Sequence, residues 1–146
     1  MRLGGIAVPV DYRLQGHSDG DAIAHALTDA VLGAAGLGDI GELFPDTDPA
    51  HRDRDSIEML ATAVARIRDA GWRVQQVDVT VIAERPPIRS SRDAMRRALA
   101  VPLAVEPDDI GLKGKSNERM GWIGREEGLA CIAVATLIRA GGAGKR

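Results

Sequence analysis

The stretch HSDGDAIAHALTDAV, His17 to Val31, decides how the rest of the chain is read. Ile23, Ala24, Ala26, Leu27, Ala30 and Val31 supply the apolar side of a helix, which the spacing predicts over residues 20–36. Asp21, His25 and Asp29 recur every fourth residue. Positions i, i+4 and i+8 drift only slowly round a helix axis, so the three share a face, with an imidazole between two carboxylates. Ser18 or Asp19, just ahead, is the expected N-cap.

Outward from this helix the pattern changes several times. Upstream, Gly4-Gly5 with Ile6 and Val8 before Pro9 predicts a short strand and a turn. Downstream, ELFPDTDP (residues 42–49) reads as a loop bracketed by Pro45 and Pro49. Ile57, Leu60, Ala61, Val64 and Ile67 keep helical spacing over 55–70, ended by Gly71. Val77, Val79 and Val81 alternate with Asp78, Thr80 and Ile82, a strand over 73–84. ERPPIRSS follows as a loop whose Ser90 or Ser91 caps a third helix, closed by Pro102. DDIGLKGKS reads as a strand and NERMGWIGREEG as a long glycine-rich loop. In residues 129–139 alanine content favours helix, whereas Ile132, Val134, Thr136 and Ile138 favour strand. The order predicts an α/β (α+β) sandwich, with helices stacked on one face of a sheet, as one domain over 1–140. Residues 141–146 are expected to form a disordered tail.

Composition narrows the function classes. The chain has 146 residues, 45% hydrophobic and 27% charged, with net charge −2 and 3% aromatic residues. Such a balance argues against nucleic-acid and membrane partners. Cys131 is the single cysteine and lies in the apolar run LACIAVATLI, so an inert packed thiol in a reducing cytosol is expected. That run is too short to cross a bilayer, and no signal peptide is visible.

Four places in the sequence could carry chemistry. His25 offers one zinc-ligand nitrogen, although no HxxxH or CxxC pair accompanies it; a solvated polar face would give the same spacing. His17-Ser18-Asp19-Gly20 sits where a helix start presents free amides, which suits an anion; equally, it is a cap. PDTDP beside Phe44, the single phenylalanine, is either a plain turn or a rigid polar pocket for a polyol. GKSNERMGWIGREEG gathers Lys115, Ser116, Asn117, Glu118 and Arg125 among glycines. The cations and hydroxyl suit phosphate and Glu118 suits magnesium, but the P-loop order is absent.

Taken together, HSDGDAIAHALTDAVLGAAGLGDIGELFPDTDP, DVTVIAERP and GKSNERMGWIGREEGLACIAVATLI resemble the 2-C-methyl-D-erythritol 2,4-cyclodiphosphate synthase family over residues 4–139. The resemblance implies a cytoplasmic homotrimer with sheets facing the threefold axis and active sites at subunit boundaries. It implies cyclisation of 4-diphosphocytidyl-2-C-methyl-D-erythritol 2-phosphate with release of CMP. It makes the last run a strand. By matching position, His25 takes the place of a ligand for zinc or another divalent ion, and Glu118 that of the residue holding magnesium or manganese. His17 and Ser116 take the places of transition-state stabilisers, and Ser18 that of a substrate contact. Asp39, Ile40 and Gly41, then Phe44, Pro45, Asp46, Thr47 and Asp48, line the erythritol-phosphate pocket. Ala83, Pro86, Pro87, Ile88 and Arg89 match the cytidine segment, and Lys115, Asn117, Trp122 and Arg125 further substrate contacts.

Three departures accompany it. The family's leading Asp-x-His segment, which supplies two more zinc ligands, is not found in these residues, so weak zinc affinity is expected, with His51 as a possible recruit. Lys115 stands where threonine is common, and Pro87 where lysine is frequent, with Arg89 as its substitute. The absent pair motivates an alternative, a non-catalytic trimer that binds cytidine nucleotide or a protein partner. In the enzyme reading, Asp21 and Asp29 orient the His25 imidazole rather than act as bases.

Overall fold

The computed structural model describes residues 1–12, 14, 18–45, 47–49 and 54–141. The chain opens with a hairpin rather than the single strand expected: β1 (Arg2–Leu3) pairs antiparallel with β2 (Ile6–Ala7). Gly4 and Gly5 both adopt positive φ (59° and 78°), which a two-residue turn of this hand demands. A side chain at Gly4 would also strike Met95, 2.8 Å from its Cγ.

Helix α1 (Ala22–Ala35) keeps the predicted extent but not the predicted cap. Asp21 is the N-cap, and its carboxylate accepts from the Ala24 amide. The same carboxylate takes the amides of Gly4 (2.8 Å) and Gly5 (2.7 Å), so it ties the hairpin to the helix start, fully buried. Gly36, left-handed at φ 70°, ends the helix while the Leu37 amide reaches back to the Leu32 carbonyl.

The expected loop at 42–49 begins inside a helical turn, α2 (Ile40–Leu43), because Asp39 caps the Glu42 amide. Helix α3 (Ser56–Asp69) follows, capped by Asp55, and then the long strand β3 (Trp72–Ile82). The ERPPIRSS segment contains a 3-10 turn, Ile88–Ser90. Helix α4 (Arg92–Leu103) starts without a side-chain cap: Ser91 makes no capping bond and Ser90 Oγ donates to the Pro87 carbonyl instead. Nor does Pro102 end it. Proline costs one amide bond, but here it sits in the last turn, and the stop comes at Ala104, left-handed at φ 56°. Strand β4 (Ile110–Lys115) precedes the glycine-rich loop, which contains a helical turn, α5 (Gly121–Gly124). Residues 130–139 form strand β5 (Ala130–Arg139), as the family resemblance implies and alanine content does not.

β3 is the middle of a three-stranded mixed sheet, order β4-β3-β5. It runs parallel to β4 from Val77↔Ile110 to Ile82↔Lys115 and antiparallel to β5, with an irregularity between Val74 and Gln76. Val77, Val79 and Val81 are buried with Ile110 and Leu112 against Leu27 and Val31 of α1, Leu60 and Ile67 of α3, and Leu99 and Leu103 of α4. Helices thus cover one sheet face. On the other, Ile132 and Val134 are 59% and 64% exposed. Among the described residues no helix is long and apolar enough to cross a membrane. The predicted tail beyond residue 141 lies outside the described residues.

Candidate functional site

Two groups of predicted residues come together in separate places. The first lies where α1 and α3 begin. His25, one turn into α1, presents Nε2 to two hydroxyls, Ser18 Oγ at 2.8 Å and Ser56 Oγ at 2.9 Å. Ser56, fully buried at the first position of α3, donates its proton in a short hydrogen bond to the Asp19 carboxylate. A carboxylate can only accept, so the Ser56 oxygen is left to accept in turn, and Nε2 carries the proton between the two hydroxyls. Arg2 lies near both Asp19 (3.9 Å) and Asp55 (3.8 Å) and balances their charge.

This geometry corrects the expectation for the acidic stripe. Asp21 spends its carboxylate on the Gly4, Gly5 and Ala24 amides. Asp29 accepts from the Ile40 amide at 2.8 Å and so anchors α2 to α1. Among the described residues the imidazole bonds hydroxyls, one of them from a residue 31 positions away. The Asp29 bond does place Asp39, Ile40 and Gly41 beside α1. Phe44 is buried under the Arg54 guanidinium, 4.9 Å from its ring centre. Pro45, Thr47 and Asp48 are exposed, and the Asp48 amide bonds the Pro45 carbonyl. His17, Asp46 and His51 lie outside the described residues.

The second group lies beyond the carboxyl ends of β3 and β4, where parallel strands leave a crevice for ligands. A cleft of about 380 Å³ is lined by Ala83, Pro86, Pro87, Ile88 and Arg89 from one side and by Lys115 and Ser116 from the other. All seven were singled out from sequence, and parallel pairing of Ile82 with Lys115 brings the two segments level. Gly114 lets the two segments approach closely, since a Cβ would stand 3.0 Å from Ile88 Cβ and that side chain would have to shift. Arg92 and Lys113 also line the cleft and were not foreseen. With Arg89 and Lys115 they bring four cations to it, of which Lys113 is paired with Asp78. Arg89 shares this wall with Pro87, as its expected substitution for lysine requires.

Glu118 stands next to the cleft and accepts from Ser116 Oγ at 2.9 Å. Asn117 turns its side-chain amide to the Met120 carbonyl at 2.7 Å. Trp122 is half exposed and packs near Gly128. Arg125 is paired with Glu127 at 2.6 Å; that hydrogen bond raises the guanidinium above its ordinary pKa and lowers the carboxyl below its own. Cys131 is no nucleophile: burial, then the Asp21 charge, push its thiol up to about 12.

A resident zinc does not fit the described residues. A catalytic zinc takes about three protein ligands. His25 brings one nitrogen, already engaged by two hydroxyls, and among the described residues no group of three or more His, Cys, Asp or Glu could hold a metal ion. Magnesium differs, because one carboxylate plus substrate phosphates is an ordinary site for it. Exposed Glu118, beside a cationic cleft, fits that donor set.

Comparison with known proteins supplies the context. The YgbB family model matches residues 1–138. A 2-C-methyl-D-erythritol 2,4-cyclodiphosphate synthase of Gemmatimonas aurantiaca is 60% identical over 141 residues, 97% of this chain and 85% of that protein. The protein of that name from Rubrobacter xylanophilus is 53% identical over 96% of this chain and 84% of its own. Among solved structures, a 2C-methyl-D-erythritol-2,4-cyclodiphosphate synthase superposes with TM-score 0.86 at 38% identity, over 94% of this chain and 89% of that one. The bifunctional IspDF of Campylobacter jejuni reaches TM-score 0.91 at 40% identity; this chain spans 95% of itself but 38% of that protein. With near-complete coverage at such identity, the chain belongs to the YgbB family, that of the 2-C-methyl-D-erythritol 2,4-cyclodiphosphate synthases.

Proposed function

We infer that this chain cyclises 4-diphosphocytidyl-2-C-methyl-D-erythritol 2-phosphate to 2-C-methyl-D-erythritol 2,4-cyclodiphosphate and releases CMP, a phosphorus–oxygen lyase step in non-mevalonate isoprenoid synthesis. One observation carries the reading: the 83–89 and 115–116 segments form a single cationic cleft at the ends of parallel strands. A solved relative whose structure contains CDP, 36% identical with TM-score 0.82, supports assigning that cleft to the cytidine diphosphate. The names of the relatives favour the enzyme over a non-catalytic trimer.

The chemistry follows from charge. The 2-phosphate oxygen attacks the β-phosphorus, a new P–O bond forms, and the bond from β-phosphorus to the bridging oxygen breaks, so CMP leaves with that oxygen. A phosphate monoester has its second pKa near ~6, so the attacking group is already dianionic at neutral pH and needs no general base. The obstacle is repulsion between two anions that must meet in line. Arg89, Arg92 and Lys115 offset charge on the diphosphate, and Ser116 donates to an oxygen gaining charge. His17 is assigned the same donor role. Ser18 and the segment from Asp39 to Asp48 hold the erythritol phosphate. Magnesium or manganese carried by Glu118 would neutralise phosphate oxygens. His25, held by the Ser18 and Ser56 hydroxyls, orders the α1–α3 junction beside the substrate phosphate.

The protein acts as a homotrimer. Exposed Ile132 and Val134 form a β-branched row on the uncovered sheet face, suited to packing round a threefold axis. The His25 group and the cleft sit on different elements, and neighbouring copies would bring one to the other. The test is direct. Purified protein with magnesium, with and without zinc, is given the substrate and followed by phosphorus NMR. Appearance of CMP with the cyclic diphosphate is expected; a protein that binds CDP but never releases CMP would leave the non-catalytic reading standing.

A further inference from the structure

Glu84 lies within the cleft-lining 83–89 segment and links it to the loop that follows β4. It is half-buried, lines the cleft, and its Oε1 accepts the amides of Asn117 and Arg119, each at 3.0 Å. The loop it holds is unusual. Glu118 (φ 50°) and Arg119 (φ 60°) are consecutive non-glycine residues in the left-handed region. L side chains enter that region only when surrounding contacts over-determine it. The fold-back has a consequence, because it lets Ser116 Oγ donate to Glu118 at 2.9 Å. The neighbouring residue secures the far end of the same loop. Arg85 pairs at 2.9 Å with Glu126, itself left-handed at φ 60°, while the Arg85 carbonyl accepts from the Tyr12 hydroxyl at 2.6 Å.

We propose that Glu84 is a positioning residue: by collecting two backbone amides on one oxygen it fixes the left-handed turn that presents Ser116 and Glu118 to the diphosphate. The inference rests on the reading of the cleft as the cytidine diphosphate site. A carboxylate lining an anion pocket would repel the ligand, but here the amides of Asn117 and Arg119 turn their dipoles onto Oε1 and offset part of its charge. What the turn needs is a carbonyl-type acceptor at that spot, not a negative charge. Glutamine supplies one; alanine does not.

The experiment compares wild type, Glu84→Gln and Glu84→Ala by three readouts. The first is nitrogen–proton NMR of the unliganded protein. The Asn117 and Arg119 amides should be slow to exchange in wild type and Glu84→Gln and fast in Glu84→Ala. The second is CDP titration, with affinity retained within about threefold in Glu84→Gln and lost by about tenfold or more in Glu84→Ala. The third is turnover, where Glu84→Ala should raise KM and lower kcat together, with Glu84→Gln rescuing both. Fast exchange of both amides in wild type overturns the proposal whatever the enzyme does. So does Glu84→Gln matching Glu84→Ala, or Glu84→Ala matching wild type. Wild type that shows protected amides but neither binds CDP nor releases CMP refutes the assignment of the cleft and leaves the tether standing as structure alone.

Discussion

The His25 group and the cleft are both polar, both drawn largely from residues visible in the sequence, and built on opposite plans. At the start of α1 a few acceptors serve many donors in a dry setting: Asp21 holds three amides and Ser56 bridges Asp19 to His25, both side chains fully buried. At the ends of β3 and β4 the charges of Arg89, Lys113 and Lys115 stand in solvent. The contrast separates what each region stabilises. Removing a buried acceptor strands its donors, which costs folding free energy. Removing an exposed cation costs little until a ligand calls on it.

The largest expected effect follows from that rule. Asp21→Ala removes the α1 cap and leaves the Gly4 and Gly5 amides without their acceptor, so it should lower stability by about 3–4 kcal/mol in urea unfolding. Asp21→Asn keeps an acceptor and should cost less than half as much. A loss below about 1 kcal/mol for the alanine variant would break the comparison at its stronger end. Ser56→Ala comes next. It removes the hydroxyl donor to Asp19, whose carboxylate keeps the Asp21 and Ser56 amides, and one imidazole contact, so a cost of about 1–3 kcal/mol is expected, together with reduced turnover because His25 loses its orientation. Full activity with that stability loss would reduce the His25 group to scaffolding.

The reach of the sequence divides along the same line. The helix, its apolar side and the place of His25 are local facts, set by periodicity between residues 22 and 35. The partners of its polar side are not local. Asp21 serves a glycine pair 16 and 17 positions back, and His25 meets a serine 31 positions ahead. No spacing rule links them, because the hairpin and α3 must dock first. The cleft was named by the family resemblance: from its residues the lysine–serine segment suited phosphate, whereas ERPPIRSS read only as a loop. Their meeting depended on β3 and β4 running parallel, and so did the recruitment of Arg92 and Lys113. Residues 129–139 show the reverse failure: alanine favours a helix, but alternate side chains pack against α1 while Ile132 and Val134 face outward, and sheet pairing decides.

In the cleft the effects should move from stability to binding. Arg89→Ala should weaken CDP binding by roughly 5–10-fold, about 1–1.4 kcal/mol, with an unfolding midpoint close to wild type. The loss should shrink as salt rises, since an exposed cation acts through a screened field. If Arg89→Ala instead destabilised the fold by more than about 1 kcal/mol, the guanidinium would be structural and the division between the two regions would fail there.

The smallest effect is the most informative about assembly. Lys113 Nζ bonds both oxygens of Asp78, at 2.6 and 2.5 Å, with the side chains 45% and 55% exposed. An exposed pair of this kind contributes about 0–1 kcal/mol, so in an isolated chain Asp78→Asn should shift stability by less than that. The pair extends from the same uncovered sheet face as Ile132 and Val134, since Asp78 is level with Val134 and Thr80 with Ile132. Should three copies close that face together, the pair loses its water. Breaking it then leaves an uncompensated lysine inside the interface, and the cost rises to about 3–5 kcal/mol and varies with protein concentration. Unfolding of Asp78→Asn at two concentrations a hundredfold apart therefore distinguishes a solvated face from a covered one. A small, concentration-independent loss would remove the sheet face from the assembly.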